Sequence, residues 1–348
     1  MNKKTSNQRT VYMDYLRVIA SFAVIIIHTV SFTWYTPDLQ DFGWKVYCLA
    51  TCMSRWGVPI FVMISGALFL SRNIPIKTLY SKYILRLISA CLIWSAVFNF
   101  TGKGSFTAKF YSFLEGPFHM WFVPMIIGLY ICTPLLKKIT ADDNTTDYFL
   151  ILAFIFAFFI PSASLMIKDF GGGIINRAGA AVIDSVNKLK IHMVLGYTGY
   201  YVLGYVLNKR TLRKRTQLII YALGVLGFAM TIYLTFAASR NENRLVENYF
   251  DNLTVNLLFS AAAVFVWFKS RKYKNKKLNA LMKVLSKYSF GSYIVHMYVL
   301  NTLKANNFLS LFSDPISRIY ITGITVFIIS KIISGILNHI SVAKKYIV

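Results

Sequence analysis

The stretch MDYLRVIASFAVIIIHT, residues 13–29, decides the fold. It is apolar enough to run as a helix through hydrocarbon, yet it carries Asp14 and Arg17 near one end and His28 near the other. Arg17 and His28 are 11 positions apart. At about 3.6 residues per turn that is three turns, so both lie on one face, about 16 Å apart along the axis. Asp14 and Ser21 fall on nearly the same stripe. A charged side chain at the bilayer centre costs about 2.5–3.5 kcal/mol on insertion scales, so it needs a partner or a water-filled cavity. With Arg17 at the cytoplasmic boundary, His28 reaches mid-membrane. This face then offers positive charge at its mouth and a titratable base deeper in. Histidine can take and return a proton near neutral pH, and arginine binds phosphate bidentately. The blander reading is that Arg17 snorkels to headgroups and His28 hydrogen-bonds between helices.

The rest of the chain extends this pattern. Of 348 residues, 56% are hydrophobic, and the mean hydropathy is +0.53. Apolar runs of about 20 residues mark membrane spans. They recur at approximately 13–35, 45–70, 79–100, 119–139, 147–167, 191–208, 216–238, 250–268, 286–304 and 316–340. The sequence therefore reads as an all-α integral membrane protein of about ten transmembrane helices. The net charge of +25 lies in alternate short loops, as the positive-inside rule requires, rather than in a nucleic-acid surface. Lys3, Lys4, Arg9, Arg72, Lys77, the clusters NKRTLRKRT (208–216) and KSRKYKNKK (269–277), and Lys344 and Lys345 share one side if ten spans are correct. The opposite loops carry Asp38, Asp41, Glu115, Asp169, Asp184, Glu242, Glu247, Asp251 and Asp314. Both termini are thus expected in the cytoplasm. The longest polar stretch, 168–190, reads as an external loop, and His192 beyond it as an interfacial residue. Residues 1–348 are expected to form a single membrane domain with no appended soluble domain. Cys48, Cys52, Cys91 and Cys132 fall in or beside apolar segments and read as small buried hydrophobes, with no metal site.

Further polar residues fall inside the spans. Lys82 and Arg86, at i and i+4, open the third span at the level of Arg17. Arg55 precedes GVPIFVMISG in the second, where Pro59 and Gly66 are expected to loosen the helix toward a cavity. His119 and Trp121 open the fourth span, and His296 lies within the ninth. Each has an ordinary explanation alone, as a belt residue or a helix-to-helix hydrogen bond. Together they exceed what packing requires and imply a polar cavity open to the cytosol.

MDYLRVIASFAVIIIHT (13–29), SRWGVPIFVMISGALF (54–69), HMWFVPMIIGLYICTPLL (119–136), YYVLGYVL (200–207) and SYIVHMYVL (292–300) resemble, in this order, the membrane acyltransferase-3 family. The likeness is to the branch that acetylates bacterial surface polysaccharides, such as the enterobacterial common antigen O-acetyltransferase. The resemblance implies acyl transfer from cytosolic acetyl-CoA to a hydroxyl of a cell-surface glycan or lipid-linked sugar, in a bacterial plasma membrane. It makes His28 the essential histidine and Arg17 its companion. The family often carries two arginines three residues apart at the start of the third helix. Here Arg86 matches the second, Tyr83 occupies the first, and Lys82 is the neighbouring charge.

The expected mechanism places the CoA phosphates on Arg17, Lys82 and Arg86 and the thioester at His28, with Asp14 orienting Arg17. His28 acts as general base or as a transient acyl carrier. Arg55, Ser65 or Trp121 stabilises the oxyanion, and His119 and His296 complete the acceptor side. Acyl-CoA, the saccharide and membrane lipids are the expected partners; no metal or nucleic acid is expected. The rival reading is an exporter of polysaccharide or lipid-linked sugar. Against it, the sequence shows no internal repeat or paired broken helices, which many transporters have.

Overall fold

A computed structural model describes residues 11–32, 39, 41–100, 105–189, 191, 194 and 196–346. Lys3, Lys4, Arg9, Asp38 and His192 lie outside the described residues. Every regular element among the described residues is helical, and no strand occurs there. Among the described residues, eight helical segments are long and apolar enough to cross a membrane, which makes the chain a multi-pass membrane protein. Helices suit this setting because they pair their own backbone groups where no water is present.

The elements, in order, are α1 (Val11–Ser31), α2 (Phe42–Cys52), α3 (Gly57–Phe69), α4 (Ile76–Phe100), α5 (Phe106–Glu115), α6 (Phe122–Ile139), α7 (Asp143–Phe170) and α8 (Gly173–Lys188). They continue with α9 (Thr198–Lys209), α10 (Lys214–Glu242), α11 (Val255–Lys269), α12 (Lys276–Lys287), α13 (Ser289–Ala305), α14 (Pro315–His339) and α15 (Ser341–Tyr346). Two expected spans are short: α9 has 12 residues and α13 has 17. Both are central rather than lipid-facing, with Tyr200, Tyr201, Ile294 and His296 fully buried.

Helix α1 is the hub, packed against α3, α11, α12, α13 and α14. Its most apolar stretch is 72% buried, against 17% in α4, so α1 is an inner helix and α4 faces lipid. Helices α3 and α9 approach to backbone contact. A Cβ on Gly66 would stand 1.8 Å from the Tyr201 carbonyl oxygen, and one on Gly204 would stand 2.1 Å from that of Met63. Such small-residue contacts drive helix pairing in lipid, where apolar burial against tails gains little. Gly66 therefore tightens the second span, contrary to the loosening expected from it. The span is instead interrupted at residues 53–56, just before Pro59, and Arg55 sits in that break.

The structure also corrects the expected loops. The stretch 168–190 is not a loop: α7 continues to Phe170, and α8 fills 173–188. Ile174, Ala178 and Val182 recur at helical spacing there, and Lys188 pairs with Asp184 one turn back. The fourth span starts earlier than expected, as α5, then breaks at Gly116 (φ 74°) and Pro117. A 3-10 turn at Phe118–Trp121 leads into α6. The basic cluster at 269–277 runs into α12, whose first turn is capped by the Asn275 side chain accepting from the Leu278 amide at 3.0 Å.

Candidate functional site

Among the expected residues, His28, His119 and His296 come together, although 91 positions separate His28 from His119 and 177 separate His119 from His296.

 They come from α1, from the 3-10 turn before α6, and from α13. The ring centroids lie 5.0 Å apart for His28–His296, 5.5 Å for His119–His296 and 6.5 Å for His28–His119. His119 and His296 are buried, while His28 is partly open.

The backbone fixes one proton in this cluster. His296 Nδ1 meets the carbonyl of Tyr293 in the preceding turn. A carbonyl only accepts, so Nδ1 carries the hydrogen, and in the neutral ring Nε2 then keeps a lone pair. That Nε2 is buried with no hydrogen-bond partner, and so is Nε2 of His119. The Tyr293 hydroxyl donates to the His119 carbonyl, tying α13 to the 3-10 turn. Arg55 lies within electrostatic reach of His28. Its side chain rests on the Phe250 ring at 5.0 Å, and its Nε has no hydrogen-bond partner.

Next to the cluster is a cavity of about 390 Å³. Its apolar lining includes Val24, Val58, Phe61, Phe122, Ile126 and Tyr293. Tyr293 and Phe122 stand between this space and the histidines: Tyr293 is 5.8 Å from His296 and 5.7 Å from Phe122 by ring centroids. The histidines themselves do not line it. The lining also holds cations: Arg17, Arg86, Arg72 and Lys287. Arg17 is held 3.9 Å from the buried Asp14 carboxylate, the orientation expected from their i, i+3 spacing. Tyr130 lies within electrostatic reach of both Arg17 and Arg86 and beside Ser65, which also lines the cavity.

The remaining expected residues sit elsewhere. Lys82 is exposed, 5.9 Å from the Tyr83 ring, and it does not line the cavity; Tyr83 does. The cause is local. Residues Leu79–Ile84 form a π-helical turn, which changes the rotation per residue, so the i, i+4 rule does not carry Lys82 onto the face of Arg86. Trp121 is 41% exposed, and its ring lies 5.8 Å from Tyr197, outside the cavity. Sequence reasoning took Arg72 only as a loop charge and passed over Lys287, Tyr130 and Tyr293. It also passed over Lys331, which is buried in α14 and donates to the Leu285 carbonyl and Ser289 Oγ, both at 3.1 Å. Among the described residues, no group of His, Cys, Asp and Glu side chains is placed to hold a metal ion.

The chain matches the acyltransferase-3 family, described as an acyltransferase domain, over residues 10–335. It belongs to that family. The match takes in α1 through most of α14, so all three histidines and the whole cavity lie within the acyltransferase domain. No curated protein and no solved structure matches the chain. The family makes the chain an acyltransferase.

Proposed function

We propose that this acyltransferase moves an acetyl group from cytosolic acetyl-CoA to a hydroxyl of a cell-surface glycan or lipid-linked sugar, in a bacterial plasma membrane. The observation that carries the reading is the histidine cluster at the apolar end of a cavity whose other end is cationic. In this reading the cationic end faces the cytosol, as the positive-inside rule favours, and both termini are cytoplasmic. Helices α9 and α13 join the eight longer segments as spans, giving ten.

The diphosphate of the donor binds Arg17 and Arg86, and the pantetheine arm occupies the apolar part between Phe61, Phe122 and Ile126. The thioester passes Tyr293 to reach His28. His296, with its Nδ1 hydrogen committed to a carbonyl, accepts an N–H from His28 and leaves the other ring nitrogen of His28 as the base. The acceptor oxygen attacks the thioester carbonyl as its proton passes to His28. The C–S bond then breaks, and the same proton goes to the departing thiolate. The products are an ester and free CoA. Arg55 balances the negative charge that develops on the carbonyl oxygen. Trp121 and Tyr197 give the sugar an aromatic face on the opposite side, and His119 borders the acceptor. A two-step route through acyl-His28 uses the same residues.

The test is an acetyl-CoA titration of detergent-purified protein, followed by thermal stability. A ligand bound only by the folded state raises stability as its concentration exceeds Kd. Saturable stabilisation in the wild type, weakened in Arg17→Ala and Arg86→Ala, is expected. A folded protein that acetyl-CoA leaves unstabilised contradicts the reading.

A further inference from the structure

We propose that Arg72 and Lys287 form a second phosphate subsite at the cavity rim, which recognises the ribose 3′-phosphate of the CoA donor. The inference rests on the donor reading above and adds a specificity that this reading does not contain.

Four cations from four elements line the cavity: Arg17, Arg86, Arg72 and Lys287. Arg17 lies within α1, paired with the buried Asp14, and 26% of its side chain is exposed. Arg86 is also exposed, but it stands ten residues into α4 rather than at its end, with its guanidinium 5.8 Å from the Phe290 ring. Arg72 and Lys287 are both exposed and lie where helices end: Arg72 follows α3, and Lys287 closes α12. They come from different elements, yet both line the same cavity as Arg17 and Arg86. The rim is built rather than loose. Lys137 at the end of α6 donates to the Arg72 carbonyl at 2.6 Å and to Asn73 Oδ1 at 2.9 Å, which fixes the turn that presents Arg72. Lys331 holds Leu285 and Ser289 on either side of Lys287.

The order of groups in the donor matches the order of residues along the lining helices. In CoA the thioester is followed by an apolar-to-amide arm, then the diphosphate, then the ribose with its phosphate monoester. Along the helices the residues run from His28 through Val24 to Arg17 in α1, from Phe61 through Ser65 to Arg72 in and beyond α3, and from His296 through Tyr293 and Phe290 back to Lys287 before α13. With the thioester at His28 and the diphosphate at Arg17 and Arg86, within their helices, the monoester falls at Arg72 and Lys287, where helices end. A monoester carries close to two negative charges at neutral pH, so two cations from two elements suit it. Arginine adds bidentate geometry.

The experiment is calorimetric titration of the full-length detergent-purified protein with CoA and with dephospho-CoA, which lacks only the 3′-phosphate. The wild type is expected to bind CoA about tenfold or more tightly than dephospho-CoA, the size of one charge-assisted contact set. The Arg72→Ala/Lys287→Ala double variant is expected to bind the two alike, at the dephospho-CoA level. Lys77→Ala, an exposed charge outside the cavity, is expected to keep the wild-type ratio. Equal wild-type affinities would overturn the subsite and leave the donor reading intact. A ratio that survives in the double variant would assign the 3′-phosphate to other residues. Binding of neither nucleotide by folded protein would overturn the donor reading and the subsite together.

Discussion

Substituting Gly66 with alanine tests the packing that shapes the cavity wall. The added Cβ would lie 1.8 Å from the Tyr201 carbonyl oxygen, 2.6 Å from its carbon and 2.9 Å from its Cα. All three are backbone atoms, so no rotamer change relieves the clash. Ordinary contact begins near 3.4 Å, so α3 and α9 have to part by about 1.6 Å. Both helices lose close contacts along their shared face, and the Thr133–Tyr201 hydrogen bond of 2.9 Å, which ties α9 to α6, is strained. Overpacking a tight core costs about 1–3 kcal/mol and more where backbone blocks relief; a cost of at least about 3 kcal/mol is expected here. Gly128→Ala in α6 is the matched control, because its Cβ meets nothing within 4 Å. Alanine is favoured over glycine in a helix by up to about 1 kcal/mol, so that variant is neutral or slightly more stable. Thermal unfolding of both variants in one detergent gives the comparison. Ser65, the neighbour of Gly66, lines the cavity, so Gly66→Ala is also expected to weaken donor binding. A Gly66→Ala protein as stable as Gly128→Ala would refute the close approach of α3 and α9.

Other outcomes follow from single residues. His28→Ala should lower transfer by about a hundredfold to ten-thousandfold, the range of general-base catalysis, while donor affinity holds within a few-fold; initial rates and calorimetry separate the two. Lys331→Met removes the hydrogen bonds to the Leu285 carbonyl and Ser289 Oγ, while the Tyr288 amide still donates to that carbonyl, and should cost about 0.5–1.5 kcal/mol in thermal or denaturant unfolding. The carboxyls of Asp142 and Asp314 cap α7 and α14 and are held below the usual carboxylate range, mainly by the amides of Thr145 and Ser317. A depressed folded-state pKa gives stabilisation that is present above the unfolded value, about 3.9, and is lost as pH falls through the folded one. The melting-temperature gap between wild type and Asp142→Ala/Asp314→Ala should therefore be full at pH 6 and shrink below about pH 4.

Hydropathy made the helical membrane class legible because long apolar runs leave few other folds. It located the long helices to within a few residues for α1, α4 and α14. It missed what depends on local geometry. The π-turn at 79–84 took Lys82 off the cavity, and the helical spacing of apolar residues in 173–188 hid inside a polar composition. At the candidate site, the rarity of ionisable residues in spans was enough to single out His28, His119 and His296. That they meet is a property of helix packing, which no spacing within one helix encodes. Arg72 reads in the sequence as ordinary positive-inside charge and Lys287 draws no notice, and only the fold shows them sharing a cavity with Arg17. Lys331 was masked by the apolar residues around it in α14.

The central claim is that His28 passes an acyl group from a CoA thioester to a saccharide hydroxyl. Its most direct test supplies isotopically acetyl-labelled acetyl-CoA to the cytosolic face of inside-out membrane vesicles containing either wild-type protein or His28→Ala. Label is expected in the glycan or lipid-linked sugar fraction with wild type, and background with His28→Ala at equal protein levels. Equal label from both, or none from folded wild-type protein in vesicles that hold the acceptor, would contradict it.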